Sequence, residues 1–204
     1  GHADTAFVVI ANAGVVLVDV RNPAFPSVRS FVAAGDARDV ALEGGLLFIA
    51  NGKGGLRLVD VSDRDHPELL SDLVTEEARG LCVSWPRVYI ADGPGGLVIA
   101  DVAVKTHPRI VGQVRVNHRA IGPDDSNAVT TFFQYGRPQG SDARTDARMV
   151  AVVANGAAGV GILDVTEPEA VVRLSAVGSN YRGNRRALDV VMTGRFELGD
   201  TTGL

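Results

Sequence analysis

One apolar pattern recurs four times along this chain of 204 residues. In its second copy, the segment LFIAN at 47–51 is followed by LRLVDV at 56–61, and the other copies keep the same order. The aspartate of the second segment falls at positions 19, 60, 101 and 164, at intervals of 41, 41 and 63 residues. An interval of about 40 residues is the length of a repeat unit made of four short strands. The repeat therefore indicates a β architecture built from similar units.

Each unit contains four apolar runs of strand length, separated by polar or glycine-rich turns. In the second copy, the predicted strands cover 38–43, 46–50, 56–61 and 69–74. The glycine-rich link at 51–55 has the composition of a hairpin turn. Because a meander of four short strands cannot bury both of its faces alone, such units stack radially as blades. We therefore predict an all-β fold, a β-propeller of four-stranded antiparallel blades of about 41 residues, with four to five repeats visible.

The sequence allows two readings of how the propeller ends. In the first, the apolar run 187–192 completes the first blade beside residues 7–11 and closes a four-bladed ring. In the second, Gly203-Leu204 aligns with Gly96-Leu97, so that a further repeat begins and the chain is part of a larger propeller. We favour the second reading. The whole of 1–204 is then one propeller or propeller fragment, with repeats at about 7–45, 46–87, 88–148, 149–195 and 196–204, the third carrying an insertion at 117–148.

The repeat also resembles a known family. The segments IANG at 49–52 and GLRLVDVS at 55–62, together with His66-Pro67, resemble the LVIVD-repeat β-propellers, and the resemblance extends over about residues 7–198. Proteins of this family are mostly extracytoplasmic or attached to the cell surface. The resemblance therefore implies a periplasmic, extracellular or cell-surface location.

Signatures of catalysis are missing from the sequence. It contains no G-x-S-x-G, H-E-x-x-H, P-loop or C-x-x-C pattern, so we predict no catalytic residues, no metal site and no cofactor. A net charge of −4 argues against a nucleic-acid partner, because such proteins present a basic face. No apolar run approaches the roughly 18 residues that a transmembrane segment needs.

Two series of polar residues recur in the repeat register. We expect the aspartates of the second segment to accept hydrogen bonds from nearby backbone N–H groups and so to stabilise the turn at the end of the strand. The second series is expected to stabilise the turn that follows each of its members. It consists of Asn12, Asn51, Asp92 and Asn155.

A candidate ligand site lies where the innermost strands begin, because their leading loops open on one face of the central channel. Arginines and carboxylates alternate there, and arginine forks suit a carboxylate or phosphate ligand. The alternative is that these side chains pair with one another and seal the channel. The predicted ligand-binding residues are Arg38, Asp39, Arg79, Asn127, Arg186 and Asp189. Asp36 and Glu77 accompany them.

The insertion is the candidate partner-binding loop. It adds residues before and after an inner strand whose segment 130–135 carries three aromatic side chains. Long loops on a rigid scaffold are frequent binding sites, and aromatic residues with arginines suit protein contacts. The alternative is that Phe132 or Phe133 packs between blades. The predicted partner-binding residues are His118, Arg119, Phe132, Phe133, Tyr135, Arg137 and Arg144.

Two functions compete on these grounds. The first is a non-enzymatic protein-interaction or scaffold module of a larger extracytoplasmic or cell-surface assembly, whose partner is another protein or the rest of a larger chain. The second is a small-ligand-binding or hydrolytic propeller that uses the channel mouth. A purely structural spacer is a third possibility. We favour the first function, because catalytic motifs are missing, the repeat count is truncated and the loop pair of the insertion is enlarged.

Overall fold

The computed structural model describes residues 4–116, 125–134, 147–177 and 189–190. Four antiparallel sheets account for the strands in these residues, and we name them blades I to IV. Blade I holds β1 (Thr5–Ile10), β2 (Gly14–Asp19) and β3 (Ser27–Ala33). Blade II holds β4 (Asp39–Glu43), β5 (Leu46–Ala50), β6 (Leu56–Asp60) and β7 (Glu68–Leu73). Blade III holds β8 (Gly80–Ser84), β9 (Arg87–Ala91), β10 (Leu97–Asp101) and β11 (Arg109–Val114). Blade IV holds β12 (Ala128–Gln134), β13 (Arg148–Ala154), β14 (Val160–Asp164) and β15 (Val172–Val177), with a 3-10 helix (Pro168–Ala170) before β15.

Each blade is a simple meander in which every strand pairs with the next one along the chain. The all-β fold of antiparallel blades is thereby confirmed, with four strands in each of blades II to IV and three described strands in blade I. The four strands of blade II lie where the periodicity predicts them. The last pair of strands in every blade has a register shift at the same repeat position, for example between Leu58 and Val59. A shift of this kind strengthens the local twist of the outer strand.

Side chains alternate between the two faces of the middle strands, and this alternation explains how the blades pack. In β5, Leu46, Phe48 and Ala50 enter a core shared with blade III, whereas Leu47 and Ile49 enter a core shared with blade I. Successive strand residues point to opposite faces, so a strand buried on both faces is apolar throughout. A third core lies between blades III and IV.

Polar contacts join the blades outside these cores. Gly52 in blade II exchanges two backbone hydrogen bonds with Ala78, which precedes β8 (2.9 and 2.8 Å). Nearer the circumference, the Ser71 hydroxyl donates to the backbone oxygen of Lys105 (2.6 Å), and Ser30 makes the equivalent contact with Arg64 (2.6 Å). Blades II and III are therefore bonded to each other both near the channel and at the outer edge.

The predicted role of the repeated aspartates is confirmed. The carboxylate of each accepts a hydrogen bond from the backbone N–H two residues later, at 2.8–3.1 Å. These N–H groups hold the pKa of Asp60 and of Asp101 below the ordinary value of a carboxyl group. The aspartates are Asp19, Asp60, Asp101 and Asp164.

Both readings of the propeller's end rest on the segment 187–204. Only residues 189–190 of that segment are among the described residues, so the proposed closing strand 187–192 and the fifth repeat lie largely outside them. The predicted repeat boundaries therefore stay predictions.

Candidate functional site

Three leading loops come together at one end of the inner strands, and we call their residues 36–38, 77–79 and 125–127 the upper rim. Strands β4, β8 and β12, which follow these loops, lie side by side, as the innermost strands of a propeller do. One contact between them joins Cys82 Sγ to Thr131 Oγ1 at 3.4 Å. The inner strands therefore bring the three loops of the upper rim next to one another.

In blades II to IV, a buried polar side chain at the end of the second strand holds the loop of its own blade. Asn51 Oδ1 accepts the backbone N–H of Asp36 (2.9 Å), and Asn155 Oδ1 accepts that of Asp125 (2.7 Å). Asp92 is fully buried and binds the backbone N–H groups of Glu76 and Glu77 (2.9 and 2.8 Å) as well as the Thr75 hydroxyl (2.5 Å).

These contacts add a role to the one predicted for this series. The side chains of Asn51, Asp92 and Asn155 bind the leading loop that precedes their blade, 15 to 30 residues earlier. The reason is antiparallel pairing, since the end of β5 lies beside the start of β4. At the turn that follows Asn51, backbone hydrogen bonds run from Asn51 N to the Gly55 oxygen and from Gly54 N to the Asn51 oxygen, both 2.8 Å.

The charged side chains of the upper rim form a continuous ladder of ion pairs across three blades. Arg38 donates to Asp36 in its own loop (2.8 Å from Nη2) and to Glu77 in the next loop (2.8 Å from Nη1). Arg79 repeats this arrangement, donating to Glu77 (2.8 Å) and to Asp125 of blade IV (2.5 Å). Its Nη1 also lies 3.0 Å from Asn127 Oδ1. We call Asp36, Arg38, Glu77, Arg79 and Asp125 the ion-pair ladder.

Glu77 is at the centre of the ladder. Hydrogen bonds from Arg79 and from Arg38 lower the pKa of its carboxyl group, although burial acts in the opposite direction. The side chains of Glu77 and Arg79 expose only 19% and 21% of their surface, so their charges are partly shielded from solvent. Among the described residues, the buried Nε of Arg79 has no hydrogen-bond partner.

The predicted ligand-binding residues divide into three groups. Arg38, Arg79 and Asn127 are brought together in the upper rim. Asp39 is not part of the ladder, because its carboxylate binds the backbone N–H groups of Val40 (2.8 Å) and of Leu81 in blade III (2.9 Å). Asp189 makes the same local contact as Asp39, with the N–H of Val190 (2.7 Å). Arg186 lies outside the described residues.

Asp125 is not among the predicted site residues. It lies in the predicted insertion, just before the inner strand, yet it bonds directly to Arg79. A register signal was available, since Asp36, Glu77 and Asp125 each stand two residues before Arg38, Arg79 and Asn127 respectively.

Two of the predicted partner-binding residues are described by the structure. Phe132 and Phe133 lie on strand β12, between the two parts of the insertion, and not in a loop. Phe132 is half-buried, whereas Phe133 is 56% exposed. The remaining predicted residues lie outside the described part of the chain; they are His118, Arg119, Tyr135, Arg137 and Arg144.

Neither a metal-ion site nor a membrane-spanning helix is found among the described residues. Within the described ranges, no three His, Cys, Asp or Glu side chains are grouped so as to hold a metal ion. In the same ranges, no helix has the length and apolar character that crossing a membrane requires.

The model of the LVIVD repeat matches residues 4–32, 34–75 and 77–116, more than half of the chain. The chain belongs to the LVIVD repeat family. Each matched repeat of this LVIVD-repeat chain corresponds to one of blades I to III. Four ladder residues, from Asp36 to Arg79, lie within matched repeats, whereas Asp125 lies beyond them.

Solved structures show similarity to the chain in fold. The computationally designed Ika8 protein is similar to this LVIVD-repeat chain with a TM-score of 0.52 and 8% sequence identity, over 95% of the chain and 64% of the designed protein. The N-terminal domain of Nup159 has a TM-score of 0.45 and 10% identity, over 91% of the chain and 65% of that domain. The chain thus spans less than two thirds of either protein's length. No curated protein sequence matches it.

Proposed function

We propose that this LVIVD-repeat chain is a non-enzymatic protein-interaction module, a rigid array of blades that presents loops and exposed side chains to a protein partner. The partner is another protein of the assembly or a further part of a longer chain. The observation that carries this proposal is the ion-pair ladder. Its arginines are bonded to carboxylates of their own and of the neighbouring loops, so an anionic ligand at the channel mouth has to displace existing ion pairs.

Exposed aromatic side chains support the same proposal. Trp85 directly follows β8, and Phe133 stands at the equivalent repeat position near the end of the neighbouring strand β12. Their exposed fractions are 47% and 56%. Aromatic side chains are the usual anchors of protein interfaces. The second part of the insertion, from 136 onwards, follows β12 at this end in the sequence, which makes this end of the inner strands the proposed partner surface.

Deletion of residues 137–147 tests the proposal. Wild-type and deleted proteins are used as baits, and bound proteins are identified by mass spectrometry after chemical cross-linking. We expect the deletion and Phe133→Ser each to abolish recovery of the main partner, while circular dichroism and the melting temperature stay unchanged. Phe25→Ser is the matched control, because Phe25 is 80% exposed on a loop of blade I. Undiminished recovery with the deleted protein contradicts the proposal.

The proposed location is extracytoplasmic or at the cell surface, and family resemblance supports it. Protease treatment of intact cells tests this part separately. We expect the protein to be degraded in intact cells or after opening of the outer compartment, together with an extracytoplasmic marker. Protection until the cytoplasmic membrane is broken contradicts the proposed location.

One observation favours binding of a small ligand as a second candidate function. The Nε of Arg79 is buried and has no hydrogen-bond partner within the described residues, and an unpaired donor of this kind suits an anionic oxygen. Thermal unfolding in the presence of small carboxylates and phosphates tests this candidate. It requires a ligand that raises the melting temperature of the wild-type protein but not that of Arg79→Ala. A panel without such a compound argues against it.

A further inference from the structure

A hollow of about 230 Å³ lies at the outer junction of blades I and II. Its lining is mostly apolar, and two large apolar side chains of the lining are exposed, Phe31 by 50% and Leu69 by 57%. The single charged side chain in the lining, Arg57, is paired with Asp72 (2.7 Å) and donates to the Ala33 oxygen (2.5 Å). The hollow is lined by Phe31, Val32, Ala33, Arg57, Val59, Pro67 and Leu69, and we call it the outer groove.

The opposite face of the same strand is acidic. Leu69 pairs with Val59 across β6 and β7, and the preceding pair is Glu68 with Asp60. Because successive residues of a strand point to opposite faces, Glu68 and Asp60 lie on the face away from the outer groove. A second hollow of about 230 Å³ is located there, and we call it the acidic hollow. Its lining residues are Asp60, Ser62, Asp63, His66 and Glu68.

Strand β7 separates the two hollows and is the last strand of its sheet. On its inner side it pairs with β6, and no strand of the described residues pairs with its outer side. The outer side therefore presents backbone N–H and C=O groups to an additional strand. A segment added there alternates its side chains between the two faces of the blade.

We propose that an extended protein segment with alternating apolar and basic residues adds to the outer edge of β7. Its apolar side chains enter the outer groove beside Leu69, and its basic side chains lie beside Glu68 and Asp60. The backbone hydrogen bonds of the added strand supply affinity, and the two hollows supply specificity. This inference rests on the proposed interaction function and adds a second contact surface to it.

The neighbouring blade lacks the same combination. In blade III, Ile110 occupies the position of Leu69, but Arg109 replaces Glu68 and pairs with Asp101 (3.0 Å). Asp72 of blade II occupies the position that Phe31 has in blade I. An outer edge with an apolar face and an acidic face is therefore a property of β7 and not of β11.

Fluorescence anisotropy with a synthetic peptide tests the inference. The probe is a fluorescein-labelled peptide in which leucine alternates with lysine, mixed with the full chain. We expect saturable binding that Leu69→Asp weakens by about tenfold or more, since an anchor side chain contributes at least about 1.4 kcal/mol. Ile110→Asp is the matched control at the equivalent position of blade III, and it should leave the affinity unchanged.

Two altered peptides separate strand addition from nonspecific attraction. A peptide with N-methyl groups on alternate residues cannot complete a β-ladder, and a peptide of the same composition with its leucines grouped together cannot alternate. Both should bind about tenfold more weakly than the probe or worse. Equal binding of either peptide, or equal loss with Leu69→Asp and Ile110→Asp, overturns the inference.

The results of the peptide experiment can be distinguished from the results of the deletion experiment that tests the proposed function. If the peptide does not bind while deletion of 137–147 still abolishes recovery of the partner, only this inference is wrong. If the peptide binds at Leu69 but the deletion has no effect, the proposed use of the insertion is wrong and the β7 surface stands.

Discussion

Arg38 Nη1 lies 2.8 Å from Glu77 Oε1, although the two residues belong to the leading loops of neighbouring blades. Arg38 also binds Asp36 of its own loop, and Glu77 also binds Arg79 of its own loop. The contact is therefore one step of the ion-pair ladder. Apolar cores hold the blades together through their middle strands, whereas this contact joins the ends of the loops. The relative position of adjacent leading loops is therefore set by charge as well as by packing.

A double-mutant cycle measures this contact. Arg38→Gln and Glu77→Gln should each lower the free energy of unfolding, with the larger effect for Glu77, because its side chain is 19% exposed whereas that of Arg38 is 33% exposed. We expect a coupling energy of about 0.5–1 kcal/mol, the upper part of the range for exposed pairs. Urea unfolding followed by circular dichroism gives the free energies of unfolding of the wild type, the two single variants and the double variant. Strict additivity of the two substitutions contradicts a direct pair.

Glu77 should also make the protein sensitive to acid. Hydrogen bonds from Arg79 and Arg38 lower the pKa of Glu77 in the folded chain. Its contribution to stability is therefore complete above about pH 4.3, the pKa of an unperturbed glutamate, and is lost as the pH falls through the lower, folded-state pKa. The stability difference between wild type and Glu77→Gln should shrink when the pH is lowered from about 6 to about 3. A difference that is constant over this range argues against the assignment.

Asp92 should be the most sensitive of the polar residues that support the upper rim. Replacement by alanine leaves the N–H groups of Glu76 and Glu77 and the Thr75 hydroxyl without their acceptor. Since each buried unpaired donor costs about 1–3 kcal/mol, we expect Asp92→Ala to destabilise the protein by about 3 kcal/mol or more. Asp92→Asn keeps one acceptor oxygen, as Asn51 does in blade II, and should cost about 1 kcal/mol. The denaturant midpoints of the two variants compare their stabilities. Equal losses of stability contradict the prediction.

Gly52 is one of the glycines whose replacement should disturb the ladder. It has φ +49°, and a Cβ atom added there meets Asp36 Oδ2 at 1.9 Å. Gly52→Ala should therefore cost about 1–2 kcal/mol for the left-handed backbone alone, and more for the displaced carboxylate. Gly35→Ala is the control, because no atom lies within 4 Å of its added Cβ and its effect should stay within about 0.5 kcal/mol. Thermal unfolding of both variants gives the comparison, and similar melting temperatures contradict the prediction.

Periodicity was sufficient to predict the strands of blade II and the role of the repeated aspartates, because both depend on residues close together in the sequence. The partners of Arg38 and Arg79 could not be predicted in the same way. The sequence aligns the two arginines, but whether each reaches the preceding or the following blade depends on the twist and spacing of the sheets. Alternation of charge was compatible with a ligand site and with internal pairing alike.

The insertion made the role of Asp125 difficult to predict. It lengthens the third interval to 63 residues and so hides the equivalence of Asp125 with Asp36 and Glu77. Asn51 shows a further difficulty, since it stands next to a turn in the sequence while its side chain binds Asp36. Antiparallel pairing brings residues together that are far apart in the chain, and local sequence patterns do not contain that information.

The alternation along β5 has a consequence for how the molecule unfolds. Leu47 and Phe48 are adjacent in the chain, yet they belong to the cores on opposite sides of blade II. Separating blade II from either neighbour exposes one complete face of its middle strands to water. The free energy of one junction is thus linked to the integrity of the next, as in stacked repeats with nearest-neighbour coupling. We expect hydrogen exchange to be slowest in β5 and β9, which are enclosed from both sides, and to quicken towards the outer strands.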